Sequence, residues 1–434
     1  MKGMMIPLRP RPLAITGAAL AALLLVGCAA SATPHTGTAT TEPSGPAESD
    51  ADTAPGHGAV AGAAEAPEPP LHLVAIDRSG EVAMLDLLDG TETTLDRVRA
   101  PQRVTTDGRY AFVADDSGVD VIDSGAWTWD HVDHFHYYRA AAGAPGSIAG
   151  DGIATVATGM LATAGGTGLF FPESGEAVLL DNAALASGEI VETLRLDVGP
   201  HRGIIAPLGT GAVVSTPDEP RGSAETPAAS LRAVDAEGTD LATIDCPAAA
   251  GTITTRIAVV VGCADGAVLA TASPDGAVDL EKVAYPSGAA APATEFSARK
   301  GRPTVAGLGT DSGVWLLDTR ERSWTWVGTA ERPIAATAVD DEAERIVTLT
   351  PAGAVAVLDA TGASLGVSSP LVSGLSTASS ASAAEVSLTV DAQRAYVNDP
   401  ASGDVFEIDY ADGARVARTL TPAVDAAFLV ETGR

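Results

Sequence analysis

The sequence predicts an all-β chain, a β-propeller of seven or eight blades with eight preferred, preceded by a signal peptide and a disordered linker. Three observations predict it. Beyond Leu71 the chain is a series of short apolar runs with two-residue alternation, separated by Gly, Asp, Asn and Pro, the pattern of many short strands joined by tight turns. One phrase, a Gly followed by an apolar alternation and usually a closing Asp, recurs at 80–86, 118–123, 175–181, 266–271, 313–318, 353–359 and 403–409, and at 231–235 without the Gly. From Asp86 to Asp409 is 323 residues over seven intervals, a mean of about 46, which suits a four-stranded propeller blade. Closing such units into a ring removes sheet edges that a linear stack would leave open to aggregation. A pair of β-sandwiches is the structural alternative.

Ahead of this region the chain reads differently. Lys2, Arg9 and Arg11 precede a largely apolar run of fourteen residues, 13–26, too short to span a bilayer but suited to a signal-peptide core, so 1–27 is expected to be removed. The run ends in Leu25-Val26-Gly27-Cys28, which resembles a bacterial lipobox and implies a lipid on Cys28. Acyl chains contribute about 0.8 kcal/mol per buried methylene, so two or more would anchor the protein without a transmembrane helix. The expected location is extracytoplasmic, on the outer face of the cytoplasmic membrane. Residues 28–70 then turn to Ala, Thr, Ser, Gly, Pro and Glu, with no aromatic and no apolar period, and are read as a disordered tether with a span of roughly 35–40 Å. His35 and His57 fall here as solvated residues. Residues 71–434 form the expected propeller.

Lys and Arg number 26 against 56 Asp and Glu, a formal charge of −30 that repels phosphate backbones and excludes nucleic acid as a partner. A monomer is expected. Three Cys are too few for a disulfide framework, a zinc ribbon or an iron–sulfur cluster. Cys246 and Cys263, 17 apart, are expected to pair in an exported domain, the alternative being two buried thiols.

Chemistry concentrates in one place. Of seven His, three stand within six positions in Asp130-His131-Val132-Asp133-His134-Phe135-His136-Tyr137-Tyr138-Arg139. In an extended strand His134 and His136 project from one face, and His131 or Asp133 joins them where the chain bends. Imidazole with carboxylate suits zinc and other late first-row metals. His201, in the turn-rich Gly199-Pro200-His201-Arg202-Gly203, is the expected fourth ligand, provided that ring closure brings it to the same end. Asp130, Tyr137 and Tyr138 are candidates to orient the imidazoles. His72, alone at a strand start, is read as structural.

The His-x-x-His-x-His-Tyr-Tyr-Arg-Ala stretch up to Ala140 resembles the AztD-type zinc metallochaperones, β-propellers that partner a zinc ABC importer. Pro200-His201-Arg202-Gly203 is similar to their Pro-His-His-Gly turn, Gly262-Cys263-Ala264-Asp265-Gly266 to their second Cys motif, and 411–418 with 431–434 to their closing strand. The resemblance implies a protein that holds zinc and hands it by ligand exchange to the importer's solute-binding protein. It is incomplete. The family's Cys-Pro-x-x-His-Gly-Glu reads Cys246-Pro247-Ala248-Ala249-Ala250-Gly251-Thr252 here, and no His follows His201. The implied ligand set is therefore reduced to His131, His134, His136, His201 and Asp133.

Other classes find less support. No Walker A loop, H-E-x-x-H or EF-hand loop occurs, so an enzyme is not expected. A propeller that binds no metal and serves as a docking scaffold at the cell surface is the alternative function.

Overall fold

The recurring phrase is the third strand of a sheet. Its Gly makes the turn from the second strand with positive φ, 89° at Gly80 and 79° at Gly353, and a Cβ at these positions would overlap the main-chain oxygens of Val98 and Val372. Its closing Asp begins the turn to the fourth strand by accepting a main-chain N–H two residues on. Asp86 takes that of Leu88, Asp318 that of Arg320 and Asp359 that of Thr361, at 2.8, 2.8 and 2.9 Å. The repeat thus encodes two turns and the strand between them.

A computed structural model of the chain describes residues 60–130, 134–219, 222–375 and 385–434. The expected signal peptide, Cys28, His35, His57, His131 and Asp133 lie outside the described residues. Among these residues are eight four-stranded antiparallel sheets and one three-stranded sheet, with a single five-residue helix, Asn182–Ala186. The architecture is a multi-blade β-propeller, not a pair of sandwiches. Six sheets are runs of four consecutive strands. In another, His72–Ile76 lies between Val82–Asp86 and Phe428–Thr432. His72 thus faces Thr432 and Ile76 faces Phe428, so the two ends of the domain share a sheet. No helix of the described residues is long and apolar enough to cross a membrane.

The core lies in and between the sheets. Third strands such as Val82–Asp86 are buried throughout, whereas fourth strands such as Glu92–Leu95 are largely exposed. Valines of one sheet, including Val347 and Val355, pack with Val390, Val397 and Ile408 of the next. First strands touch one another around the axis. Because pairing within each sheet is antiparallel, the chain enters every first strand at one face of the ring, here the entry face. Turns that follow third strands, and the residues after the last strand, lie at the opposite, exit face.

Two departures from this plan place the site. The sheet of Arg103–Thr106, Tyr110–Asp115 and Gly118–Asp123 takes Gly143–Ala149 as its fourth strand, and an extra hairpin, Ala126–Asp130 with Phe135–Arg139, is inserted before it. A strand also lies inside the segment expected to be tether: Ala64–Ala66 pairs antiparallel with Phe135–Arg139. Ala-Glu-Ala carries no hydrophobic period, and backbone pairing to the free edge of the hairpin orders it instead.

Cys246 and Cys263 are disulfide-bonded and both buried, joining the approach to Ala250–Thr254 to the end of its neighbour Val259–Cys263. Replacing both by Ala should lower stability by about 3 kcal/mol, the loop-closure value for a link of this span. The shift in urea midpoint between wild type and the double variant measures it.

Candidate metal centre

The hairpin that carries the histidines is built mostly from aromatic and polar residues, alternating from Trp127 to Asp130 and from Phe135 to Tyr137, a pattern suited to paired strands. Trp127 stands opposite Tyr138, and Trp129 opposite His136. Alternation puts His134, His136 and Tyr138 on one face. There the Nε2 atoms of His134 and His136 lie 2.9 Å apart, with the rings edge to face. His136 is buried and His134 exposed.

The inner imidazole is oriented from the strand ahead of the ring. Glu65 pairs across from Tyr138, and its Oε1 accepts from Nδ1 of His136 at 2.6 Å. A carboxylate on Nδ1 fixes the tautomer that leaves Nε2 with its lone pair, the arrangement that ligating histidines use. Nε2–H of His134 then donates to it. Beneath the histidines the stack continues inward. Tyr138 lies against His136 and, at a centroid distance of 5.1 Å, against Trp127; the Arg109 guanidinium lies 4.1 Å from the Trp127 ring centre. Arg109 is itself held by two hydrogen bonds to the Asp123 carboxylate, at 2.8 and 2.7 Å.

Three ties fix the hairpin to the exit face. Thr128 Oγ1 donates to the Gly433 carbonyl at 2.8 Å, Arg139 donates to Asp86 at 2.6 Å, and Asp130 forms an ion pair with Arg256. Burial works against the Asp86 carboxylate, but the Arg139 hydrogen bond, the Leu88 N–H and the nearby His72 outweigh it and hold its pKa below the usual value. His72 donates Nδ1–H to the Pro70 carbonyl at 2.6 Å and lies 3.5 Å from Asp86, a structural placement.

His201 is not where the fourth ligand was expected. It stands just before Ile205–Leu208, at the entry face, beside Arg202 and Gly203 that line a cavity of about 650 Å³ there. It is completely buried, with Nδ1 2.7 Å from the Gly199 carbonyl, Nε2 2.9 Å from Ser215 Oγ and its ring edge-on to Phe170. Both nitrogens are engaged, and the histidine cluster is on the other side of the disc. The signal was present in sequence: His201 lies between a fourth strand and a first, whereas the cluster follows a third. Glu65 was missed because nothing in its neighbours marks it.

Two imidazoles and one carboxylate thus converge. Among the described residues, no group of three His, Cys, Asp or Glu side chains is arranged to hold a metal ion. A tetrahedral zinc at about 2.0–2.1 Å from each nitrogen needs them roughly 3.3 Å apart. The 2.9 Å observed is a little shorter than that.

Neither a family model nor a curated protein matches the chain. Solved structures do. The crystal structure of Citrobacter koseri AztD superposes with a TM-score of 0.70 at 21% identity, covering 83% of this chain and 97% of that one. The fold is AztD-like. Apo AztD from the same organism gives the same TM-score at 19% identity, covering 83% and 98% of the two chains. The dihydro-heme d1 dehydrogenase NirN, in complex with DHE, is more distant, with a TM-score of 0.51, 14% identity and coverage of 84% and 76%. An AztD-like ring accounts for the architecture.

Burial pushes the His201 pKa down despite the Gly199 and Ser215 contacts. The native state therefore holds it neutral, and its contribution to stability is complete above the unfolded value of 6.5 and lost as pH falls below it. Urea unfolding at pH 7.5 and pH 5 should show a smaller acid loss for His201→Gln than for wild type, with zinc affinity unchanged.

Proposed function

We propose that this protein is an exported, lipid-tethered zinc carrier that passes its ion to the solute-binding protein of a zinc ABC importer. The observation that carries the reading is the pair of imidazole Nε2 atoms 2.9 Å apart, one fixed by Glu65 and the other at the surface. The likeness of the histidine stretch to zinc metallochaperones and the AztD-like fold support it. His131 and Asp133, between the two strands in sequence, would complete the donor set.

The asymmetry of the pair suits transfer. His136 is the retained ligand, because its ring is locked by the carboxylate behind it and by the aromatic stack. His134 is the ligand that an acceptor displaces, since it is exposed at the strand end. Its Nε2 must exchange a hydrogen bond for the metal, with the ring proton moving to Nδ1. The role is that of a carrier, not a catalyst. Cys28 would supply the anchor and residues 28–63 the reach.

Titration against a zinc-competing dye at pH 7.5 should show one tight site, weakened by acidification because proton and ion compete for the same lone pair. His134→Ala with His136→Ala should abolish it, and Glu65→Gln should weaken it about 10–100-fold with the fold intact, as for other carboxylates that orient a ligating histidine. A flat wild-type titration would leave a docking propeller. Cys28→Ser should move the protein from the membrane to the soluble extracytoplasmic fraction; unchanged retention on fractionation would reject the lipid anchor.

A further inference from the structure

A second chemistry is built into the exit face. Where the first strands Arg103–Thr106, Thr155–Thr158, Ala250–Thr254 and Glu295–Ser297 end, they surround a cavity of about 290 Å³ at the axis. In a chain of formal charge −30, the residues that line this cavity include four basic ones, Arg299, Lys300, Arg302 and Arg434, and one acidic one, Asp107. The rest of its polar lining is uncharged, with hydroxyls such as those of Thr158 and Ser297.

Acidic side chains compensate these cations only in part. Arg302 reaches Asp340 only at 4.0 Å, and Arg434 meets Glu431 at 3.3 Å. Among the described residues neither Arg299 nor Lys300 has an acidic side chain within ion-pair distance. Lys300 Nζ donates to the Arg434 main-chain oxygen at 2.9 Å. Nε of Arg434 and Oδ2 of Asp107 are buried without a hydrogen-bond partner, and Asp107 is only 5% exposed. Burial of the ammonium is costly and brings the Lys300 pKa down to about 8, with the nearby Asp107 charge acting against it. Elsewhere among the described residues most arginines are matched to carboxylates, as Arg109 is to Asp123 and Arg78 to Glu385.

We propose that this axial cavity is a binding site for a small multivalent oxyanion, a phosphate or a di- or tricarboxylate, held by Arg299, Lys300, Arg302 and Arg434. Guanidinium groups donate in a fork that matches such oxygens, and the hydroxyls supply neutral donors. The cavity has room for an anion of that size but not for a nucleotide chain or a folded partner. The site stands apart from the histidines and does not depend on metal binding at the hairpin.

The test is isothermal titration of the full chain, in low-salt buffer free of multivalent anions, with inorganic phosphate and in parallel with citrate. Saturable uptake of either at one per chain is expected, with a thermal midpoint that climbs with anion concentration and an affinity that falls as sodium chloride is added. Arg299→Gln should weaken uptake by about tenfold or more, and Lys300→Met likewise, whereas the exposed Arg97→Gln serves as a control and should not. Circular dichroism identifies any variant that has failed to fold; Arg302→Gln, at the rim, then takes its place. Absence of saturable uptake of both anions at millimolar concentration would overturn the proposal. So would uptake whose affinity is the same in Arg299→Gln, Arg302→Gln and Arg97→Gln.

Discussion

The pairing of Phe428–Thr432 with His72–Ile76 is the contact on which the rest of the molecule depends. It joins the start and finish of the domain in one sheet, so that His72–Ile76 has a hydrogen-bonded partner on both sides. It also delivers the last residues to the exit face. The Gly433 carbonyl that receives Thr128, and the Arg434 side chain at the axial cavity, are there because this strand ends there. Hairpin and cavity are both consequences of how the ring is shut.

Much of the fold was legible before any coordinates, and the reason is local. The Gly of the repeated phrase is required by a positive φ and a crowded turn, and the Asp by an unsatisfied main-chain N–H, so both persist where apolar residues drift. Copies 231–235 and 266–271, which lack one or the other, were still recognised by their alternation. The shared face of His134 and His136 followed from the same period of two. What was not legible is what depends on contacts distant in sequence. Glu65 reaches His136 across 71 positions, by a strand whose Ala-Glu-Ala sequence predicts nothing. His201 illustrates a different failure. Ring closure places distant segments together, but strand direction decides which face each turn occupies, and His201 belongs to the face opposite the cluster.

Charge is distributed against the grain of the composition. The acidic excess lies mainly on outer strands and turns, where Asp serves turn geometry as much as solubility. Cationic side chains are scarce, and four of them meet at one axial cavity. On the same face, a buried ion pair, an aromatic stack and an imidazole pair form a column in which each member limits the freedom of the next. A polar group at the top of such a column is positioned by packing below it as well as by its own hydrogen bonds.

The short strand Ala64–Ala66 has a mechanical meaning. It is the first described strand of the chain, and its partner is the hairpin with the histidines, not a blade. Any tension transmitted along the preceding chain would act on this clasp before it reached the ring. Peeling the clasp away would carry the Glu65 carboxylate off His136 while leaving every blade paired. Hold on the imidazole and attachment to whatever lies upstream therefore share a single seam of three residue pairs.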